Sequence, residues 1–177
     1  MSDYFEVLGM PRRFAVDLAD LERRYLELSR AVHPDRVGSG AAGQAMEVNQ
    51  AYRTLKRDLP RAEHLLRLEG VNIGDNQPVG QELLAEVLEL REELAEAVAA
   101  GDRAALSRLE RAARERERTE LAELRGAFAE LEVLAAGSPE RPARVQAVVD
   151  RVIRLRYLAR YREAFADDDD AEQEGAA

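Results

Sequence analysis

The chain has 177 residues, with 26 Lys and Arg against 35 Asp and Glu and a formal net charge of −9. At 46% hydrophobic and 34% charged residues, with 11 Gly and 6 Pro, it is neither disordered nor collagen-like. It has no cysteine and two histidines, which excludes disulfides, a thiolate nucleophile and a cysteine-ligated metal, and leaves too few ligands for a His-rich zinc site.

The first element spans Asp3 to Leu8, a short helical segment stopped by Gly9 and Pro11. Leu18, Leu21, Tyr25, Leu28 and Val32 then recur at spacings of three and four, one face of a helix with Asp17 as its N-cap. Pro34 ends that helix, because the residue before a proline avoids the α region. A Gly-rich connection follows. The next helix runs from about Gln44 to Leu55, and a shorter one from Pro60 closes at Gly70.

Residues 71–80, rich in Gly, Asn, Asp and Pro without helical period, predict a linker. A strong helix covers 81–100 and breaks at Gly101–Asp102. A long one runs from Asp102 to about Ala136, and a last one from Arg141 to Phe165. The remainder carries Asp167–Asp170, Glu172 and Glu174 and no base, so most of the net charge sits in an acidic tail, expected to be disordered. No segment alternates like a strand. The expectation is an all-α protein with a four-helix N-terminal unit (1–70), a linker (71–80), a three-helix antiparallel bundle (81–165) and the tail (166–177).

No apolar run approaches the ~20 residues of a membrane span. The N-terminus lacks a basic-then-apolar leader, and the chain reads as cytoplasmic. The acidic balance argues against a nucleic-acid partner.

In the 81–100 helix, Leu83, Val87, Leu90, Leu94 and Val98 form one stripe at 100° per residue, the expected core face. Leu84 and Leu88 fall on its flank, bordered by Glu89 and Glu92. In the last helix Val145, Val149, Val152 and Ala159 mark a stripe, with Tyr157 and Tyr161 well off it. Leucines and an aromatic left outside the core are a composition suited to a partner-binding patch.

His33-Pro34-Asp35 stands where a helix ends and a Gly-containing loop begins. By itself the tripeptide needs no more than a helix stop and a turn cap. Its surroundings add Asp3-Tyr4-Phe5 with Leu8-Gly9, Tyr25 and Leu28 in the helix before it, and Asn49, Ala51-Tyr52 and Leu55 in the helix after it. Over residues 3 to about 69 the chain therefore resembles a J-domain. The resemblance implies docking onto an HscA/DnaK-type heat-shock ATPase and acceleration of its ATP hydrolysis. Asp35 would pair with a partner arginine. His33 and Pro34 complete the loop, and Arg23, Arg24, Arg30 and Arg36 form a basic face that steers encounter. His33 has no nucleophile beside it, so an acid/base enzyme reading finds no support. His64 reads as a structural or surface residue.

Pro60-Arg61-Ala62-Glu63 with Leu65-Leu66, the run Leu88-Glu89-Leu90-Arg91-Glu92-Glu93-Leu94, and Val152-Ile153-Arg154-Leu155-Arg156-Tyr157-Leu158 are similar to the HscB family of bacterial iron–sulfur co-chaperones. That resemblance covers about residues 3–165 and is weak through 100–145. It implies an IscU-type iron–sulfur scaffold as second partner, bound by Leu84, Leu88, Glu89, Glu92 and Tyr157. Ala85 stands where the family often has a larger apolar residue. The resemblance brings no cofactor or metal, and a chain without thiolates cannot hold a cluster by the usual route. The alternative is a general J-domain protein with a different client.

Overall fold

The computed structural model describes residues 2–32, 42–74 and 80–174. These form helices α1 (Tyr4–Val7), α2 (Leu18–Ala31), α3 (Ala42–Lys56), α4 (Asp58–Leu68), α5 (Gln81–Ala100), α6 (Arg103–Glu132) and α7 (Arg141–Glu174), with no strand among the described residues. The protein is all-α, as its hydrophobic periodicity predicts. The chain divides into two compact units, one of residues 1–73 with 128–145 and one of residues 74–127 with 146–177.

In the first unit Asp3 caps α1 by accepting from the Phe5 N–H at 2.8 Å. Asp17 caps α2, accepting from Ala19 at 2.9 Å and Asp20 at 3.2 Å. Each cap satisfies donors that the first helical turn leaves without partners. Phe5, Leu8, Met10, Leu21, Val48, Ala51 and Leu55 form the core. A fully buried Leu or Phe in such a core contributes ~1.5–3 kcal/mol. Across this core Tyr25 of α2 stacks on Tyr52 of α3, centroids 4.1 Å apart, and its hydroxyl donates to Asn49 Oδ1 at 2.8 Å.

The far end of the α6–α7 hairpin belongs to this same unit. Phe14 stacks on Phe128 at 4.6 Å, with the Arg61 guanidinium 4.8 Å over the Phe14 ring. The Phe14 N–H donates to Glu132 at 2.6 Å. Arg141 grips both carboxylate oxygens of Glu69 at 2.5 and 3.0 Å, and its other amino group donates to the Leu131 and Leu134 carbonyls. One guanidinium thus closes the C-terminal end of α6 and holds it to the end of α4. Residues 128–145 carry no local sequence signal for this attachment.

In the second unit α5 ends at Gly101, whose left-handed φ of +62° suits glycine. Asp102 then accepts from the Ala105 N–H at 2.9 Å to start α6, which runs unbroken through Gly126. Val87, Leu90 and Leu94 are buried as the stripe predicts. Val98 is not: it is 41% exposed, and Ala97 is buried in its place. The 3.6-residue period carries the covered face round by one position near the helix end. On α7 the buried set is Val148, Val149, Val152, Ile153, Leu155, Leu158 and Tyr161, broader than the stripe that Val145 and Ala159 suggested. Helix α7 also continues to Glu174, past the expected end at Phe165. No Gly or Pro interrupts residues 166–174.

Candidate partner-binding site

His33, Pro34, Asp35 and Arg36 lie outside the described residues. Helices α2 and α3 frame them: α2 ends at Ala31 and α3 begins at Ala42. The Tyr25 contacts to Asn49 and Tyr52 hold the two helices side by side.

The arginines of α2 differ in what they do. Arg23 is exposed and pairs along its own helix with Asp20 and with Glu27 at 3.0 Å. Such exposed pairs are worth little and exchange readily for a partner's carboxylate. Arg24 is half-buried and committed to the fold. Its Nε donates to Asp20 at 2.8 Å and its Nη1 to the Gly9 carbonyl at 2.6 Å. Gly9 has φ +61°, a conformation that favours glycine, and a Cβ there would stand 3.1 Å from that Nη1 and crowd it. Arg30 is exposed and makes no ion pair among the described residues. Sequence reasoning grouped the three, but the structure leaves Arg23 and Arg30 facing outward and turns Arg24 to the α1–α2 turn.

His64, which carried no signal in the sequence beyond being isolated, is 1% exposed. Its Nε2 accepts from the Tyr4 N–H at 3.0 Å, and its ring stacks on Tyr4 at 4.4 Å and Phe5 at 5.9 Å. Burial, reinforced by Arg67, pushes its pKa below the ordinary histidine value of 6.5. The buried carboxylate of Asp3 lies 3.7 Å away and pairs with Arg12. His64 is a structural acceptor that anchors the start of the chain on α4.

On α5 the second set stands apart from the core. Leu84 is 46% and Leu88 52% exposed, and Glu89 and Glu92 are exposed beside them. Tyr157 of α7 is half-buried. Tyr161, which the sequence placed with Tyr157 off the core face, is only 3% exposed and packs with Leu90, Leu94, Ala113 and Phe165. The wider covered face of α7 takes in Tyr161 and leaves Tyr157 at its edge.

Four charged residues whose pairing sequence reasoning missed join the helices here. Glu120 of α6, 8% exposed, accepts from Arg151 Nη1 with both oxygens at 2.9 Å and forms an ion pair with Arg154 Nε at 3.1 Å. Arg154 Nη1 reaches Glu86 of α5 at 2.5 Å. A carboxylate this buried requires such partners. The pattern of residues within each helix gave no means of pairing them.

Two helices, α2 and α3, packed side by side with α1 and α4 are the frame of a J-domain, and a DnaJ domain model matches residues 3–64. The chain is a J-domain protein. The family model described as the HSCB C-terminal oligomerisation domain matches residues 79–166. The chain is 34% identical over 170 residues to the co-chaperone protein HscB homolog of Vibrio cholerae serotype O1 (strain M66-2), covering 90% of this chain and 92% of that one. It is 45% identical over 101 residues to the co-chaperone protein HscB of Proteus mirabilis (strain HI4320), covering 52% of this chain and 58% of that relative. Among solved structures, chaperone HscB from Vibrio cholerae superposes with a TM-score of 0.78 at 30% identity, over 96% of this chain and 99% of that one. The chain belongs to the HscB family of co-chaperones.

Proposed function

We propose that this protein stimulates the ATPase of an HscA/DnaK-type chaperone through His33, Pro34 and Asp35 and delivers to it an IscU-type iron–sulfur scaffold held on the C-terminal bundle. Residues 1–70 act as the J-domain and residues 81–165 as the scaffold-binding bundle, in the cytoplasm, with no chemistry carried out by this chain. Arg23, Arg30 and Arg36 steer the ATPase encounter. Leu84, Leu88, Glu89, Glu92 and Tyr157 meet the scaffold. The observation that carries the second half is that α5 leaves Leu84 and Leu88 in solvent while Leu90 and Leu94 fill the core. Exposed leucines rimmed by carboxylates have the make-up of an interface hot spot. Holding both partners raises the effective concentration of scaffold at the chaperone.

The test is steady-state ATP turnover of an HscA-type chaperone with this protein and an IscU-type scaffold added separately and together. Synergy that Leu88→Ala weakens and His33→Gln abolishes is the expected result. Stimulation unchanged by His33→Gln overturns the loop assignment. Stimulation without any contribution from the scaffold favours the general J-domain protein with another client.

A further inference from the structure

The scaffold face as proposed draws residues from two helices, so it requires a fixed relation between α5 and α7. Apolar contacts alone constrain that relation loosely, because a stripe of Val, Leu and Ala side chains is attracted without direction. A directional tie exists. Among the described residues, Glu86 is the only residue of α5 whose side chain enters an ion pair or hydrogen bond, and its partner is Arg154 of α7 at 2.5 Å. Glu86 lies in the turn between Leu84 and Leu88, and Arg154 lies one turn before Tyr157. The same guanidinium holds Glu120 of α6 through Nε at 3.1 Å. Three helices therefore meet on one side chain.

Neutralising Glu120 does not require Arg154. Arg151 already donates to both Glu120 oxygens at 2.9 Å and forms an ion pair with Glu123 at 2.5 Å. What Arg154 adds is the reach to α5. Its planar fork sets direction as well as distance, which a point charge would not. Polar ties of this kind are best attested as setters of register.

We propose that Arg154 is a positioning residue for scaffold binding, locking α5 to α7 through Glu86 so that Leu84, Leu88 and Tyr157 form one face. This rests on the scaffold-binding reading above. The experiment measures the affinity of a purified IscU-type scaffold for the full-length protein and its variants by calorimetry, with helicity and Tm recorded for each. Arg154→Gln and Glu86→Gln each weaken binding about tenfold, equivalent to ~1.4 kcal/mol. The double variant is no weaker than either single, because both remove one link. Arg154→Lys recovers part of the loss. Arg151→Gln, which removes one of the two partners of Glu120 without touching α5, lowers Tm and leaves affinity within about twofold.

Wild-type affinity in both Glu86→Gln and Arg154→Gln, with binding lost in Leu88→Ala, overturns the positioning role and leaves the scaffold reading standing. Wild-type affinity in Leu88→Ala overturns both. Equal weakening by Arg151→Gln and Arg154→Gln reduces the effect to bundle stability and sinks the positioning role. Additive losses in the double variant assign Glu86 a contact of its own and do the same. Glu86→Gln, at a half-exposed site, keeps the question answerable if Arg154→Gln does not fold.

Discussion

His64 Nε2 accepts a hydrogen bond from the backbone N–H of Tyr4 at 3.0 Å, joining α4 to α1. The bond requires the imidazole to be unprotonated at Nε2. The groups facing it are Asp3, Tyr4, Phe5, Arg12 and Arg67, and burial is the largest influence on its pKa, which it lowers from 6.5. The unfolded chain therefore binds the proton more readily than the folded one. The stability that His64 contributes is complete above pH 6.5 and is lost as pH falls through the lowered folded value. Urea unfolding at pH 7.5 and 5.5 is expected to show a loss that His64→Gln, which keeps an acceptor and cannot titrate, largely removes. An equal pH dependence in that variant would show that carboxylates elsewhere are responsible.

Arg24 and Arg30 separate fold from function. Arg24→Ala deletes charge-assisted bonds to Asp20 and the Gly9 carbonyl and is expected to cost about 1–2 kcal/mol. Arg30→Ala, on an exposed position, is expected to stay within about 0.5 kcal/mol of wild type. It should instead raise the concentration needed for half-maximal ATPase stimulation, more at low salt than at high. Denaturation midpoints and stimulation curves at two salt concentrations check both.

The stacked pair Phe14 and Phe128 fastens the tip of the α6–α7 hairpin within the first unit. Both rings are buried, so Phe14→Ala or Phe128→Ala should cost ~3–5 kcal/mol. Their effects should be strongly non-additive, since either change removes the same contact. Hydrogen exchange should quicken around Glu132 and Phe14, whose N–H is bonded there. Additive losses would show that the rings act independently.

Tyr157 and Tyr161 lie one turn apart and do different things. The Tyr161 hydroxyl is buried without a hydrogen-bond partner among the described residues, and burial with Glu93 nearby pushes its pKa above the ordinary tyrosine value. Tyr161→Phe should leave stability within about 1 kcal/mol or raise it, because it removes a desolvated polar atom. Tyr161→Ala should cost ~3–5 kcal/mol. Tyr157→Ala, at a half-exposed site, should cost less stability and weaken scaffold binding instead. Thermal melts and scaffold titrations of the three variants distinguish the roles.

The sequence by itself determined the all-helical class, the helices, the cap Asp17, the break at Gly101, and the J-domain and HscB resemblances. These rest on local periodicity and on motifs contiguous in the chain. It also separated Leu84 and Leu88 from the core face of α5, since a 100° step resolves opposite sides of a helix. Tertiary structure alone decided the flanks. Ala97 is covered where Val98 was expected, Tyr161 is core where it was grouped with Tyr157, and Arg24 turns to Gly9 where it was grouped with Arg23 and Arg30. A flank is buried or bare according to where the neighbouring helix lies, and periodicity within one helix carries no such information. The same holds for Tyr4 with His64, Phe14 with Phe128, Glu69 with Arg141 and Glu86 with Arg154. Each joins residues far apart in the chain, and the pairing exists only once packing has brought their helices together.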